Sequence, residues 1–156
     1  MRLYLAHPFD KREKVRELEE EIERKTGIDL DNFLYECALR KPAITVYNGR
    51  RTEIFPKKEL VQHNKEHIKN SDGILFVVYN TLLIGSSTEM HYCKETLKKK
   101  VITYIADDKK LENNPWLKHY SNIIITDRDE LIRHLTEMPK TENRKNTLDC
   151  RIKQDF

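Results

Sequence analysis

Cysteine, glycine and long apolar runs are all scarce in this sequence. Its 156 residues include only three cysteines, four glycines and five prolines. Cys37, Cys93 and Cys150 form no CxxC pair, which argues against a disulfide framework or a zinc site and favours a reducing compartment. No apolar stretch approaches the roughly 20 residues needed to cross a bilayer, and the short run at residues 3–6 does not fit a signal peptide. We therefore expect a cytoplasmic protein that does not bind membranes.

An excess of charge of one sign is also lacking. Lys and Arg number 29 against 26 Asp and Glu, so the net charge is +3. Dense binding of nucleic acid requires a larger positive excess, and we predict no nucleic-acid partner. The balance leaves room for an anionic small molecule. With 38% hydrophobic residues, a chain of this length can bury the core of one domain.

Short apolar runs alternate with helical patterns along the chain. The runs that predict buried strands cover residues 2–6, 73–79, 101–105 and 123–126. Between them, apolar residues recur at helical spacing, and Gly27 marks the end of the first helix. This alternation predicts an α/β fold, a single-domain flavodoxin-like (doubly wound) sandwich with a mostly parallel five-stranded sheet.

Residues 28–56 do not fit this alternation. They contain Asn48-Gly49, a hairpin signal, between residues 43–47 and 51–55, and they also allow a short helix over residues 33–39. We therefore expect them to be an elaboration within one domain that covers residues 1–138. The polar tail at residues 139–156 is expected to be disordered or to lie on a partner subunit.

The segment from Gly85 to Glu89 is the most informative for function. Ligands of parallel sheets bind beyond the carboxyl ends of the strands, and this segment lies between a predicted buried strand and a predicted helix. Glu89 would lie in the first helical turn, where the helix dipole would keep its carboxylate ionised. The spacing Ser86-x-x-Glu89 is also that of a capping box, so the pattern alone supports a structural role equally well. Neither GxGxxG nor a Walker motif is present.

A metal site has little support in the sequence. His63 and His67 are four residues apart on a predicted helix, a spacing that allows metal binding, but Asn64 stands where a metalloprotease carries glutamate. We therefore predict no metal and no cofactor. His7 lies near the predicted cleft, although a lone histidine is more commonly an ordinary polar residue.

Several segments resemble, in the same order, the motifs of the nucleoside 2-deoxyribosyltransferase-like family, which includes 2′-deoxynucleoside 5′-phosphate N-hydrolases. Residues 3–9 (LYLAHPF) resemble the family's first strand and aromatic turn. Residues 64–78 resemble the helix and strand that precede its active-site loop. Residues 85–93 (GSSTEMHYC) resemble its GTxxExxxA pattern, and residues 121–124 resemble the start of its last strand. The match extends in outline over residues 2–136.

The resemblance implies cleavage of the N-glycosidic bond of a nucleoside or nucleotide by double displacement. A carboxylate attacks C1′ to form a glycosyl-enzyme, and the sugar then passes to another base or to water. Glu89 matches the nucleophile, and Tyr4 matches a residue that holds its carboxylate. Phe9 would stack near the base, while the two serines of the loop would bond the sugar or a 5′ group. The substrate-binding residues expected from these motifs are His7, Phe9, Asn64, Gly85, Ser86, Ser87 and Asn122.

The same resemblance implies an oligomer. Members of the family complete their sites with a residue from a neighbouring subunit, and Asn122 resembles that residue. We therefore expect a homodimer or a larger homo-oligomer that acts on a small-molecule nucleoside or nucleotide.

Asn64 departs from the family pattern, because an aspartate that assists protonation of the base commonly stands there. Asparagine cannot donate a labile proton, and Asp72 is the best acid nearby. The resemblance as a whole predicts an enzyme, either a nucleoside deoxyribosyltransferase or a nucleotide N-glycosidase. A non-catalytic nucleotide-binding sensor or sequestering protein is the alternative that Asn64 favours. A purely structural flavodoxin-like domain, with Glu89 as a helix cap, is a third hypothesis.

Overall fold

Five parallel strands form the central sheet of this computed structural model, which describes residues 1–33, 46–47, 50–51, 57–80 and 84–139. Side chains are described in these ranges except at residues 46–47, 50–51 and 57–60. In chain order the strands are β1 (Arg2–Ala6), β2 (Asp29–Asp31), β3 (Val46–Tyr47), β4 (Arg50–Arg51), β5 (Gly73–Val78), β6 (Lys100–Ile105) and β7 (Ile123–Ile125). The sheet has the order β2-β1-β5-β6-β7 and is parallel throughout. The predicted α/β flavodoxin-like fold is thereby confirmed.

Strand β2 corrects one sequence-based expectation. Residues 29–31 lie inside the segment 28–56 that was predicted to be an elaboration, yet they supply the edge strand beside β1. The strand is short and two of its three residues are aspartates, so it gives no apolar run. The hairpin predicted around Asn48-Gly49 is confirmed, because β3 and β4 pair antiparallel on either side of it. The helix predicted over residues 33–39 lies outside the described residues, apart from Phe33.

The helices that cover the sheet follow the strands closely. They are α1 (Arg12–Thr26), α2 (Lys57–Asn70), α3 (Ile84–His91), α4 (Pro115–Tyr120) and α5 (Arg128–Glu137). Helix α3 continues as a π-helical turn, Tyr92–Thr96, and 3-10 turns occupy Phe9–Lys11 and Lys109–Asn113. No helix in the described part of the chain is long and apolar enough to cross a membrane.

The predicted end of the first helix at Gly27 is confirmed, and the starts of α1 and α4 differ in how they are capped. Helix α1 ends at Gly27, whose φ of 70° is the left-handed conformation that glycine adopts without strain. Asp10 does not cap this helix, because a 3-10 turn precedes it and its first residue has no side-chain cap. The segment 107–121 contains α4. Asn114 caps that helix by accepting from the N–H groups of Trp116 and Leu117.

The two faces of the sheet have separate apolar cores. Helices α1 and α5 pack on one face, where Val15, Ile22 and Leu131 are fully buried. Helices α2, α3 and α4 pack on the other face, together with Tyr4 and alternate residues of β5. Because every residue of β5 is buried, this strand reads as a continuous apolar run in the sequence. The second face carries the candidate site, since Tyr4 points into it from β1.

Candidate active site

Helix α3 begins at Ile84, which places Glu89 sixth in the helix. The carboxylate therefore extends from the second turn and not from the first. Gly85, Ser86 and Ser87, predicted to form a loop before the helix, lie within its first turn. The capping box inferred from the spacing of Ser86 and Glu89 is also wrong, because both residues are inside the helix.

Glu89 is held by side chains from two other elements. Its Oε1 accepts a hydrogen bond from the Tyr4 hydroxyl on β1 at 3.1 Å and another from Asn64 Nδ2 on α2 at 2.7 Å. Its Oε2 has no hydrogen-bond partner among the described residues. One oxygen is thus fixed by two donors, while the other is available to a ligand.

The protonation state of Glu89 differs from the expectation. Burial raises the pKa of Glu89 to about 7, although the hydrogen bonds from Tyr4 and Asn64 act in the opposite direction. The prediction that the helix dipole keeps this carboxylate ionised is therefore wrong, because the residue lies beyond the first turn and is desolvated. Near neutral pH the charged and neutral forms coexist.

An open pocket of about 270 Å³ lies between α2 and α3, with Glu89 in its wall. Its volume is near the lower end of that of small-molecule sites. Among the described residues, Lys65 and Glu89 are the only charged ones in its wall, and Val61 and Ile84, 53% and 88% exposed, form apolar edges. The lining residues are Val61, Asn64, Lys65, Ile68, Ile84, Gly85, Thr88, Glu89 and Tyr92.

Asn64 contributes an unusual feature to this pocket. While its Nδ2 donates to Glu89, its Oδ1 is buried and has no hydrogen-bond partner in the described parts of the chain. A buried acceptor without a partner costs about 1–3 kcal/mol, so its retention here suggests a role other than stability. Asn64 can orient Glu89, but it cannot protonate a departing base.

The aromatic turn after β1 is fixed by buried polar contacts. His7 is buried, its Nδ1 lies 3.0 Å from the Pro8 carbonyl oxygen and its Nε2 lies 2.8 Å from Asn32 Oδ1. Asn32 in turn donates to Glu19. Phe9 lies in the following 3-10 turn with the Arg12 guanidinium 4.7 Å from its ring centroid. Neither His7 nor Phe9 lines the pocket beside Glu89, so their substrate-binding roles stay predictions.

Asp72 and Asn122 lie at the amino ends of strands, away from the pocket wall. Asp72 immediately precedes β5, and its Oδ2 accepts from the backbone N–H of Arg2 at 2.8 Å. This exposed carboxylate thus links the starts of β1 and β5. The structure does not place Asp72 beside Glu89, where a catalytic acid would be needed. Asn122 Oδ1 accepts from Val101 N–H at 2.9 Å and from Lys94 Nζ at 3.0 Å. Its contribution to a neighbouring subunit stays a prediction.

The two histidines of α2, His63 and His67, contact other side chains of the fold. His67 Nδ1 contacts Asp31 at 2.8 and 3.0 Å, and the ring centroid of Phe33 lies 4.3 Å from His67 and 5.9 Å from His63. Within the described ranges, no group of three or more His, Cys, Asp or Glu is arranged to hold a metal ion. The sequence analysis missed the buried pair of Asp31 and His67, because β2 itself gave no apolar signal.

Sequence reasoning also missed Lys65 and Tyr92 as pocket residues. Lys65 Nζ lies 5.3 Å from the centroid of the Tyr92 ring, which links α2 to the turn after α3. The available signal was the helical spacing of Val61, Lys65 and Ile68, which places all three on one side of α2.

The fold of this chain is similar to that of several solved structures, two of which are a 2-deoxyribosyltransferase and a CMP N-glycosidase. A 2-deoxyribosyltransferase from Bacillus psychrosaccharolyticus is 17% identical, with a TM-score of 0.64 over 90% of this chain and 100% of that one. The CMP N-glycosidase BcmB from Clostridium botulinum is 17% identical, with a TM-score of 0.54 over 86% and 97%. A conserved protein from Enterococcus faecalis V583 is 15% identical, with a TM-score of 0.63 over 86% and 96%.

These structures fit the nucleoside 2-deoxyribosyltransferase-like family that the sequence motifs resemble, and at such identities they establish the shared fold. No family model matches the sequence, and no curated protein matches it significantly. The activity of this chain therefore has to be argued from its own residues.

Proposed function

We propose that this chain is an enzyme that cleaves the N-glycosidic bond of a nucleoside, a deoxynucleoside or its 5′-monophosphate, with Glu89 as the nucleophile. The observation that carries the proposal is the arrangement of Glu89 in the pocket wall. Its Oε1 is held by Tyr4 and Asn64, and its Oε2 has no partner among the residues that the structure describes. The shared fold supports it, because the structural neighbours include a CMP N-glycosidase and a 2-deoxyribosyltransferase.

The first step requires the ionised form of Glu89. Its Oε2 attacks C1′ of the sugar, so that an ester bond forms while the C1′–N bond breaks. The electron pair of that bond goes to the nitrogen of the base. The base takes up a proton from a solvent water molecule as it leaves, because the described pocket wall holds no carboxylic acid besides Glu89. Tyr4 and Asn64 keep Oε1 in place, which fixes the direction of Oε2 and lowers the entropic cost of the attack.

In the second step the ester is broken by another base or by water, and Glu89 is released as a carboxylate. Attack by a base makes the protein a transferase, and attack by water makes it a hydrolase. The open pocket admits water, which is compatible with hydrolysis. In both steps the carboxylate also stabilises the positive charge that develops on the sugar.

The test is to incubate the protein with each deoxynucleoside and each deoxynucleoside 5′-monophosphate, with and without a second free base. Liquid chromatography would follow released and exchanged bases. Glu89→Gln should abolish turnover, whereas Glu95→Gln, a carboxylate change beyond the pocket on the continuing π-helical turn, should not. A sugar adduct on Glu89, found by mass spectrometry after acid quenching, would identify the nucleophile. Full turnover by Glu89→Gln would contradict the proposal.

A non-catalytic nucleotide binder is the second candidate, and Asn64 is the observation that favours it. Among the described lining residues, no carboxylic acid besides Glu89 is placed to protonate a base. Nucleotide binding by calorimetry without base release from any substrate would support this candidate. Absence of both binding and turnover would leave only a structural role for the pocket.

We also propose that the active form is a homo-oligomer. The support is the resemblance of Asn122 to a residue that related enzymes contribute to a neighbouring site. Light scattering coupled to gel filtration would measure the mass in solution, and a monomer at the concentrations used for assays would contradict it.

A further inference from the structure

The pocket contains one positive charge whose role the proposed reaction leaves open. Lys65 and Glu89 are the only charged residues among the lining residues that the structure describes. Lys65 follows Asn64 directly on α2, so its side chain is rotated by about 100° around the helix from the amide that holds Glu89. The two charges therefore belong to different parts of the same wall.

The charge of Lys65 is not neutralised by a carboxylate within the described parts of the chain. Its ammonium group lies against the ring of Tyr92, 5.3 Å from the centroid. The groups that shift the pKa of Glu89 are Tyr4 and Asn64, acting against burial, and Lys65 is not among them. Lys65 thus does not serve as the counter-ion of Glu89.

A ligand that contacts both Lys65 and Glu89 favourably must carry its negative charge at the end near Lys65 only. Glu89 repels negative charge near the sugar carbon that it attacks, whereas Lys65 attracts it elsewhere in the pocket. The 5′-phosphate of a nucleotide is separated from C1′ by the sugar ring, so a nucleotide can satisfy both conditions. A lysine ammonium group has three donors on a flexible chain and is well suited to a phosphate.

The hydroxyl groups of α3 offer a weaker site for such a phosphate. Thr88 Oγ1 donates to the Ile84 carbonyl oxygen at 2.8 Å, and neither Ser86 nor Ser87 lines the pocket. Ser86 is also buried. These observations favour α2 over Ser86 and Ser87 as the source of the contact to the phosphate.

We propose that Lys65 binds the 5′-phosphate of the substrate and gives the pocket a preference for nucleoside monophosphates over nucleosides. This inference rests on the proposed function for the position of the sugar. Tyr92 acts as a positioning residue, because its ring holds the ammonium group at the pocket wall in the absence of a ligand.

The experiment measures binding without turnover, so that it does not depend on catalysis. In the Glu89→Gln background, calorimetry would compare each deoxynucleoside 5′-monophosphate with its nucleoside, before and after Lys65→Gln. The ratio of the two affinities should fall by about tenfold or more when the charge is removed. Lys69→Gln, one turn further along the same helix and outside the pocket, is the matched control and should leave the ratio unchanged.

Different results would contradict the role of Lys65 and the proposed reaction. An unchanged affinity ratio in Lys65→Gln, with monophosphates still preferred or never preferred, would overturn the role of Lys65. Failure of the parent protein to release any base would overturn the proposed reaction and leave the binding comparison valid. Increasing salt should weaken monophosphate binding in the parent more than in Lys65→Gln, because the contact is between opposite charges.

Discussion

Glu89 is half-buried, and the proposed reaction requires its charged form. This combination determines the pH dependence of that reaction. Because its pKa is raised to about 7, the ionised fraction increases as the pH rises through neutrality. We expect kcat/KM to rise with pH and to reach half of its maximum near pH 7, measured by base release between about pH 5 and pH 9.

Asn64 allows this assignment to be checked. Its hydrogen bond lowers the pKa of Glu89, so Asn64→Ala should move the rising limb of the profile to higher pH. Gln62→Ala, on the same helix and outside the pocket, is the control and should leave the limb in place. A profile that is flat across neutrality in the parent protein would show that Glu89 is not the titrating nucleophile.

Glu89 also makes the stability of the fold depend on pH. Activity should rise with pH, whereas stability should fall. A folded-state pKa near 7, above the ordinary value of 4.5, means that the folded protein holds a proton more tightly than the unfolded chain. This contribution to stability is fully present below pH 4.5 and is lost as the pH rises through about 7.

Glu89→Gln should remove this loss, since glutamine can accept from Tyr4 and Asn64 without carrying a charge. At about pH 8 we expect the variant to be more stable than the parent by about 1–3 kcal/mol, and near pH 4.5 we expect the two to be similar. Urea unfolding at both pH values would measure the difference. Equal stabilities at the higher pH would contradict the raised pKa.

At the scale of elements, one lysine binds three backbone carbonyl groups on the site-bearing face. Lys99 Nζ donates to the carbonyl oxygens of Ile68, Lys69 and Ser71 at 3.2, 2.5 and 2.5 Å. These are the end of α2 and the turn before β5, where carbonyl groups lack helical partners. The positive φ of 54° at Lys98 directs the chain into this position.

We expect Lys99→Met to lower the free energy of unfolding by about 1–3 kcal/mol, because it leaves these carbonyl oxygens without their charged donor. Chemical unfolding at neutral pH would measure the change. Lys109→Met, at an exposed position in a 3-10 turn, is the control and should change stability by less than about 0.5 kcal/mol. An equal effect of both variants would show that the capping contacts contribute little.

Some strands and helices could be predicted from the sequence, and others could not. Strand β5 was predicted because it is buried on both faces and therefore uniformly apolar. Strand β2 was missed because an edge strand of three residues can carry two aspartates, one of which pairs with Arg2 and His67. The start of α3 was misplaced because glycine and serine usually indicate a loop, whereas the helix begins at Ile84 and includes them.

The residues of the candidate site, like the strands and helices, were predicted from the sequence only in part. The sequence and its resemblance selected Tyr4, Asn64 and Glu89, which the structure brings together from β1, α2 and α3. The distant contacts arise from strand order and helix packing, which single residues do not reveal. Asp72 was selected because it lies close to the motifs in sequence, but it lies at the amino end of β5. Lys65 went unnoticed because a lysine on a charged helix is usually only solvated.

At the scale of the whole molecule, the decisive question is whether one chain or two form a complete site. Asn122 lies before β7, with its Oδ1 bonded to Val101 and Lys94 in the same chain. Its Nδ2 is the group with which it could donate to a neighbouring subunit. In a two-fold symmetric dimer, each site would then combine Glu89 of one protomer with Asn122 of the other.

Mixing two inactive variants tests this arrangement directly. We expect Glu89→Ala and Asn122→Ala each to have low activity as separate homodimers. After unfolding and refolding together in equal amounts, half of the dimers should be mixed, and each mixed dimer should contain one intact site. The mixture should therefore recover about a quarter of the parent activity in base release.

The alternative is that Asn122 acts only within its own chain, by fastening β6 to the start of β7. In that case the site of every protomer carries one defect or the other, and mixing recovers nothing. Refolding the parent protein by the same procedure controls for losses during refolding. Asn122→Asp separates the two roles further, because it keeps the acceptor for Val101 and removes the Nδ2 donor. If only the acceptor matters, this variant should be as stable and as active as the parent.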